Sequence, residues 1–397
     1  MNKIDEKTKR LYGWMKGKSK PPYTIELIPT NRCNFNCKSC WRQGASNEEM
    51  EKIYKEELSD ERLLKLIDEA HEIDVKEIAF VGGGEPLARS ITLELIKRTR
   101  KFNMTGDLVT NGSLLTEDII KTLVKIQWTR IKFSIDGANP DLQDSLRRTK
   151  CFDKIIKNIQ SLSAMKKQKK SDFPRIGFNV VISNQNYVDL PNIIELAHAI
   201  GGNEIMILPI TVFSDEGKKL ILDKKQIAEF QTIIKKSLPK IKEYGISSNM
   251  NKFFDERFIT KTNSMHEVIM EEAEKDFKIL ENDIEDFEKY NKKYPINFMM
   301  VPCFEPWSHV TILANGNIAC CFNKYVWETK VTIKDHTLEE LWYGDYFKKY
   351  RDEIMSGKLP DACATCCVWR VFEIKSIRNK LKEYSNHSIG TGRKARL

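Results

Sequence analysis

The stretch Thr30-Asn-Arg-Cys33-Asn-Phe-Asn-Cys37-Lys-Ser-Cys40-Trp41 places three cysteines within eight residues, directly after the apolar run Tyr23 to Pro29. A Cys-x3-Cys-x2-Cys loop offers three thiolates, enough for three irons of a cubane, whereas ferredoxin-type clusters take a fourth. The fourth iron is left open to another ligand. A zinc site would want four ligands, commonly as paired Cys-x2-Cys knuckles. Unrelated buried cysteines would not crowd one loop.

The chain has 397 residues, long enough for a full-size core and more than one domain. Hydrophobic residues make up 41% and charged residues 30%, and the chain contains no uninterrupted apolar stretch of membrane-spanning length. The basic N-terminus, residues 1–20, lacks the apolar segment and cleavage site of a secretory signal. Nine of the ten cysteines fall in the groups 33–40, 303–321 and 363–367, which favours metal ligation in a reducing cytoplasm over disulfides. The net charge of +9 is spread rather than gathered in a basic-aromatic stripe; it is weak evidence for an anionic substrate or nucleic acid against ordinary solvated surface, and nucleic acid is not expected.

Residues 21–213 read as repeated strand-helix units. Expected strands are Thr24–Pro29, Val75–Val81, Met104–Thr110, Arg130–Ile135, Ile176–Ile182 and Glu204–Pro209, separated by apolar residues at helical spacing such as Leu63, Leu66, Ile67 and Ala70, then Ile155, Ile159 and Leu162. Six strands at this rhythm imply an α/β fold with a parallel sheet, with functional loops at the strand C-termini. The second strand runs into Gly82-Gly83-Gly84-Glu85-Pro86, where missing side chains let backbone approach a ligand and Glu85 can accept from an ammonium. The fourth ends in Ser134-Ile-Asp136-Gly137, and Arg147 follows in the next loop, with the planar fork that suits a carboxylate. Asn179 lies on the fifth strand, and Thr110-Asn111-Gly112 reads as a turn.

Residues 214–300 become rich in lysine and glutamate, with a capping box at Ser264-Met-His-Glu267 opening an expected helix. This is a bridge or insertion that packs on the barrel, with a lid or dimer contact as alternatives. Residues 301–370 carry a second constellation: Cys303, a hairpin about Asn315-Gly316, Cys320-Cys321, and Cys363-Ala-Thr-Cys366-Cys367. The turn brings Cys321 back beside Cys303, and the distant Cys-x2-Cys pair completes four thiolates. Spacing leaves zinc and iron-sulfur equally open. Residues 371–397 form a basic tail.

Both constellations resemble those of the radical SAM superfamily, in its SPASM/Twitch subgroup. The resemblance implies a partial (β/α)6 barrel whose cysteine loop, Cys33, Cys37 and Cys40, holds a [4Fe-4S] cluster, with S-adenosylmethionine (SAM) on the open iron. It assigns Gly83, Gly84 and Glu85 to the methionyl amino group, Ser134 to the ribose, Arg147 to the SAM carboxylate or ribose, and Asn179 to a further SAM contact. The family usually carries an aromatic just before its third cysteine; this chain has Ser39 there, with Trp41 one place beyond Cys40. Cys303, Cys321, Cys363 and Cys366 match a C-terminal Twitch-like iron-sulfur domain with one auxiliary [4Fe-4S] cluster, making two in all. Cys320 and Cys367 adjoin assigned ligands and could replace them.

The implied chemistry is reductive cleavage of SAM to a 5'-deoxyadenosyl radical, fed by a flavodoxin or ferredoxin, and hydrogen abstraction from a small-molecule substrate. By analogy with Twitch dehydrogenases of the aminocyclitol type, oxidation of a carbohydrate-like carbon is expected. Epimerisation is the alternative and needs a hydrogen-atom donor, for which Cys151 is the candidate against its bland reading as a buried small hydrophobe. Peptide maturation is a third reading, against which the short segment before the first strand offers little room for a leader-binding domain.

Overall fold

The computed structural model describes residues 3–255, 259, 301–321, 330–356, 359 and 368–389. In chain order these form α1 (Lys3–Met15), β1 (Thr24–Leu27), α2 (Asn47–Lys55), α3 (Asp60–Glu72), β2 (Glu77–Phe80), α4 (Ile91–Lys101), β3 (Thr105–Thr110), α5 (Glu117–Lys125) and β4 (Arg130–Ser134). They continue with α6 (Pro140–Arg147), α7 (Phe152–Gln168), β5 (Arg175–Ile182), α8 (Leu190–Ala199), β6 (Glu204–Pro209), α9 (Asp215–Lys218), α10 (Lys224–Glu243) and β7 (Ser247–Ser248). After residue 300 come β8 (His309–Ile312), β9 (Ile318–Ala319), α11 (Leu338–Tyr343), α12 (Asp345–Met355) and α13 (Val368–Ile389). The helix expected after Ser264, and Cys363, Cys366 and Cys367, lie outside the described residues.

The strands join in one sheet of order β7-β6-β5-β4-β3-β2-β1-β8-β9. Every adjacent pair is parallel except β8 and β9. Parallel neighbours cannot be joined by tight turns, so helices fill the crossovers between the first six strands. Alternation along the strands separates two faces. Ile25 and Leu27, Ile78 and Phe80, Ile131 and Phe133, and Ile205 and Ile207 are fully buried in the core that the helices cover. Between them Glu26, Ala79, Val109, Lys132, Ser134, Asn179, Val181, Met206 and Leu208 are only half-buried and line the inner face. The result is an α/β sheet whose inner face mixes polar and apolar side chains.

The hairpin about Asn315-Gly316 forms, with Gly316 at φ +87, a conformation that favours glycine. It does not stand apart from the barrel: β8 pairs with β1 in register, Thr24 opposite His309 and Leu27 opposite Ile312, so the hairpin extends the barrel sheet. The basic N-terminus folds as α1 and packs against α13. Leu11 and Met15 share a second core with Val301, Phe304, Trp307, Ile354, Ile374, Ile377 and Leu381. Buried Lys7 meets Glu373 at 2.6 Å. Arg10 donates to the Pro21 and Pro22 carbonyls at 3.0 Å, fixing α1 to the entry of β1.

Candidate active site

The cysteine loop leaves the C-terminal end of β1 and is braced from three sides. Glu57 accepts from Thr30 Oγ1 at 3.0 Å and from the Asn31 N–H at 2.7 Å. The glycine loop after β2 is strapped to it by Gly84 N–H to the Thr30 carbonyl at 2.9 Å and Glu85 N–H to the Arg32 carbonyl at 2.8 Å. The approach is close enough to demand glycine, because a Cβ on Gly84 would lie 2.1 Å from the Arg32 oxygen and one on Gly83 2.1 Å from Asn31 Oδ1. Trp41 Nε1 donates to the Gly83 carbonyl at 2.8 Å, so this aromatic closes the same loop.

From β3, Asn111 Nδ2 donates to Asn34 Oδ1 at 3.0 Å, and Asn34 Nδ2 donates to Ser113 Oγ at 2.8 Å. The Thr110-Asn111-Gly112 turn is therefore part of the brace. Glu85 points into it: its buried carboxylate accepts from Thr110 Oγ1 at 2.6 Å, the Asn111 N–H at 2.7 Å and the Leu87 N–H at 3.2 Å. Burial pushes the Glu85 pKa up, against these hydrogen bonds. In this geometry Glu85 locks three loops together. Nothing in the sequence around Glu57 or Asn34 signalled their roles.

The thiols of the loop are half-buried. Burial pushes the Cys33 pKa up to about 11 and raises that of Cys40. Both sulfurs are thus protonated near neutrality until a metal displaces the proton. Arg147, at the end of α6, is placed beside them. Its Nη1 lies 3.7 Å from Cys37 Sγ and its Nη2 2.6 Å from Asp136 Oδ2. The Asp136 contact is an ion pair not aligned as a hydrogen bond, so Nε and Nη2 retain unspent donors. On β5, Asn179 Oδ1 is also buried without a partner, with Ser134 directly across on β4. Cys151 precedes α7, buried, with its Sγ 3.5 Å from Asp144 Oδ1; burial and that carboxylate push its pKa up to about 12.

The second cysteine group sits at the other end of the β1–β8 pair. Cys303 precedes β8, which runs parallel to β1, while Cys320 and Cys321 follow the antiparallel β9 back. The lumen lies between. On its β1–β8 wall Glu26 Oε2 stands 3.2 Å from Nε2 of buried His309. On the opposite wall Lys132 Nζ is 3.5 Å from Asp107. Beside the first loop a cavity of about 590 Å³ is lined by Gln43, Gly44, Val212, Phe213 and Glu216 among others.

These features define a barrel that presents a three-cysteine loop at one end and a second cysteine group at the other. The chain carries a domain of the Radical SAM superfamily over residues 27–197 and a SPASM iron-sulfur cluster-binding domain over residues 303–367. It is 32% identical over 181 residues to the AdoMet-dependent heme synthase of Methanosarcina barkeri, covering 45% of this chain and 48% of that protein. It is 27% identical over 180 residues to the mycofactocin maturase MftC of Mycobacterium tuberculosis, covering 45% and 43%. The chain spans about half the length of the curated relatives it matches. Its fold is that of SuiB of Streptococcus suis bound to S-adenosylmethionine, with a TM-score of 0.61 at 14% identity, covering 86% of this chain and 70% of that one. No helix among the described residues is long and apolar enough to cross a membrane.

The chain thus carries a Radical SAM domain, a class of domain that takes SAM and a [4Fe-4S] cluster, followed by a SPASM domain, a class that takes further iron-sulfur clusters. The residues suit the first group in kind and in their place on one loop, though among the described residues no three His, Cys, Asp or Glu side chains converge as metal ligands. Three thiols share one braced loop, glycines bring backbone against it, and unspent donors on Arg147 and an unspent acceptor on Asn179 are buried nearby.

Proposed function

We propose that this enzyme oxidises a hydroxyl-bearing, carbohydrate- or aminocyclitol-like small molecule held in the barrel lumen. The observation that carries this reading is the inner face itself, where Glu26, Lys132, Ser134 and Asn179 stand half-buried among Ala79, Val109, Val181, Met206 and Leu208. Polar side chains spaced along one wall suit a substrate that presents hydroxyl or amino groups. When bound, SAM and its cluster supply hydrogen-atom abstraction, and the SPASM-domain cluster supplies an electron acceptor.

The chain's own part is to bind, orient and take up a proton. Cys33, Cys37 and Cys40 hold the first cluster, and Cys303, Cys321, Cys363 and Cys366 the second. Gly83 and Gly84 offer backbone, and Arg147, Ser134 and Asn179 offer polar contacts, to SAM. Oxidation of a secondary alcohol releases a proton, and Glu26, oriented by His309, is the acceptor on the lumen wall. A flavodoxin or ferredoxin supplies the reducing electron. Epimerisation is less well supported, since Cys151 is buried against Asp144. Peptide modification is favoured by the cavity beside the cluster loop, with Val212 and Phe213 half-exposed on its rim, and by matched relatives that are maturases or a peptide cyclase by name.

The test is anaerobic turnover with SAM and dithionite against amino sugars, aminocyclitols and short peptides, reading 5'-deoxyadenosine and product mass. The proposal expects about eight irons per chain, 5'-deoxyadenosine stimulated by an amino sugar or aminocyclitol, and a product two hydrogens lighter. Replacing Cys363 and Cys366 with Ala should leave SAM cleavage but suppress that product. Stimulation by peptides alone would replace the small-molecule reading.

A further inference from the structure

Arg351, on α12, is a buried cation. It is 7% exposed. Its guanidinium lies between two indoles, 4.5 Å from the Trp342 ring and 4.7 Å from the Trp14 ring, with Phe347 at 5.3 Å. Nε donates to the Pro306 carbonyl at 2.9 Å and Nη1 to the Trp342 carbonyl at 3.0 Å. Nη2 is buried and donates to nothing. Among the described residues no carboxylate forms an ion pair with it. Burial lowers its pKa to about 10, and the attractions opposing that loss come from Tyr343, Cys320 and Asp352.

Burying a charge without a counter-charge is costly, and proteins pair such groups. Arg147, the counterpart at the other cysteine group, has Asp136 at 2.6 Å. For Arg351 the place of the missing anion can be read from its neighbours. Pro306 stands three residues after Cys303, and the Cys320 thiol lies within electrostatic range of the guanidinium. A thiolate-ligated iron-sulfur cluster is a net anion with acceptor sulfurs. The flat guanidinium stacks near both indole rings.

We propose that Arg351 is the counter-cation of the SPASM-domain cluster: its Nη2 donates to the sulfur cage on the Cys320 side and holds the cluster's reduction potential up. The inference rests on the reading that Cys303 and the Cys320-Cys321 pair border that cluster. A nearby positive charge and an N–H···S hydrogen bond both favour the more negative, reduced state. Arg351 is thus a positioning and tuning residue, one that sets how readily the cluster accepts an electron.

The experiment compares R351M and R351K with the parent, as full-length anaerobically reconstituted chains, by iron content and EPR-monitored redox titration of each cluster. The proposal expects full iron in all three. It expects a fall in the SPASM-domain potential for R351M, most of the parent value kept by R351K, and no movement of the barrel cluster. Equal shifts in both variants, or none, with iron intact, would overturn it while leaving the ligand reading in place. A parent chain that takes up only the iron of the barrel cluster would overturn both. If R351M does not fold, R351Q is melted with and without its clusters; a smaller rise in Tm on reconstitution than in the parent supports the pairing, and an equal rise overturns it.

Discussion

Arg147 stands between Asp136 and Cys37, its Nη2 2.6 Å from the carboxylate and its Nη1 3.7 Å from the sulfur. Asp136 is itself fixed, since its Oδ1 accepts from the Val181 N–H of β5 at 2.9 Å. The strand therefore aims the carboxylate, and the carboxylate aims the cation at the cluster loop. Asp136→Asn keeps the shape but leaves the buried guanidinium uncompensated. We expect a loss on the order of 3 kcal/mol, read by urea unfolding of the cluster-free chain, and weaker SAM binding after reconstitution. An Asn variant as stable as the parent would mean that the ion pair organises nothing.

Gly84 is set by the backbone it faces. A methyl group there would meet the Arg32 carbonyl oxygen at 2.1 Å, and backbone cannot rotate away as a side chain can. Gly84→Ala should push the glycine loop off the cysteine loop, at a cost of about 1–3 kcal/mol by analogy with overpacked cores. SAM affinity should fall at least about tenfold, the factor that 1.4 kcal/mol represents. Equilibrium binding of SAM to the reconstituted variant checks this, with circular dichroism showing that the barrel persists.

Cys33 makes the cluster-free protein sensitive to alkali. Its pKa rises from 9.0 to about 11, chiefly through burial. Between those values the unfolded chain has lost a proton that the native chain keeps, so stability falls as pH rises through the window. The loss amounts to about 2–3 kcal/mol at 1.36 kcal/mol per unit. Chemical denaturation of the cluster-free chain at pH 8.5 and pH 11 should show it, and Cys33→Ser should remove that share. Iron binding should abolish it too, because the ligated sulfur carries no proton in either limb of the titration.

How much of this was legible beforehand follows from where each signal resides. β6 was expected at Glu204–Pro209 and lies there, and the other five strands end within about two residues of expectation, because alternation and glycine punctuation are local. The turn at Gly316 was legible for the same reason. That β8 would pair with β1 was not: which strand occupies a free sheet edge depends on the whole fold. Nor was α1, whose buried Lys7 and Arg10 look like surface until α13 and the Pro21-Pro22 carbonyls arrive. The cysteine loop announced itself by spacing. Glu57, Asn34, Asp136 and Arg351 did not, since a charged or amide side chain acquires its meaning from partners distant in sequence.

Cys151 separates the two oxidation-state outcomes. Its sulfur is buried 3.5 Å from Asp144 Oδ1, and its pKa is pushed up to about 12. Asp144 also accepts from the backbone N–H groups of Cys151 and Phe152, both at 2.9 Å, so the loop's own bonds survive a change of side chain. Cys151→Ala therefore removes one S–H and little else, a loss of at most about 1 kcal/mol. If the enzyme is a dehydrogenase, the variant should form 5'-deoxyadenosine and oxidised product at rates within about twofold of the parent, an effect below 0.5 kcal/mol. If Cys151 were the hydrogen donor of an epimerase, the variant would cleave SAM but fail to release inverted product. Turnover in deuterated water decides between them. Product without solvent deuterium and two electrons more oxidised supports dehydrogenation. Deuterium at an inverted carbon, lost in the Ala variant, would assign Cys151 the donor's role and reverse the proposal.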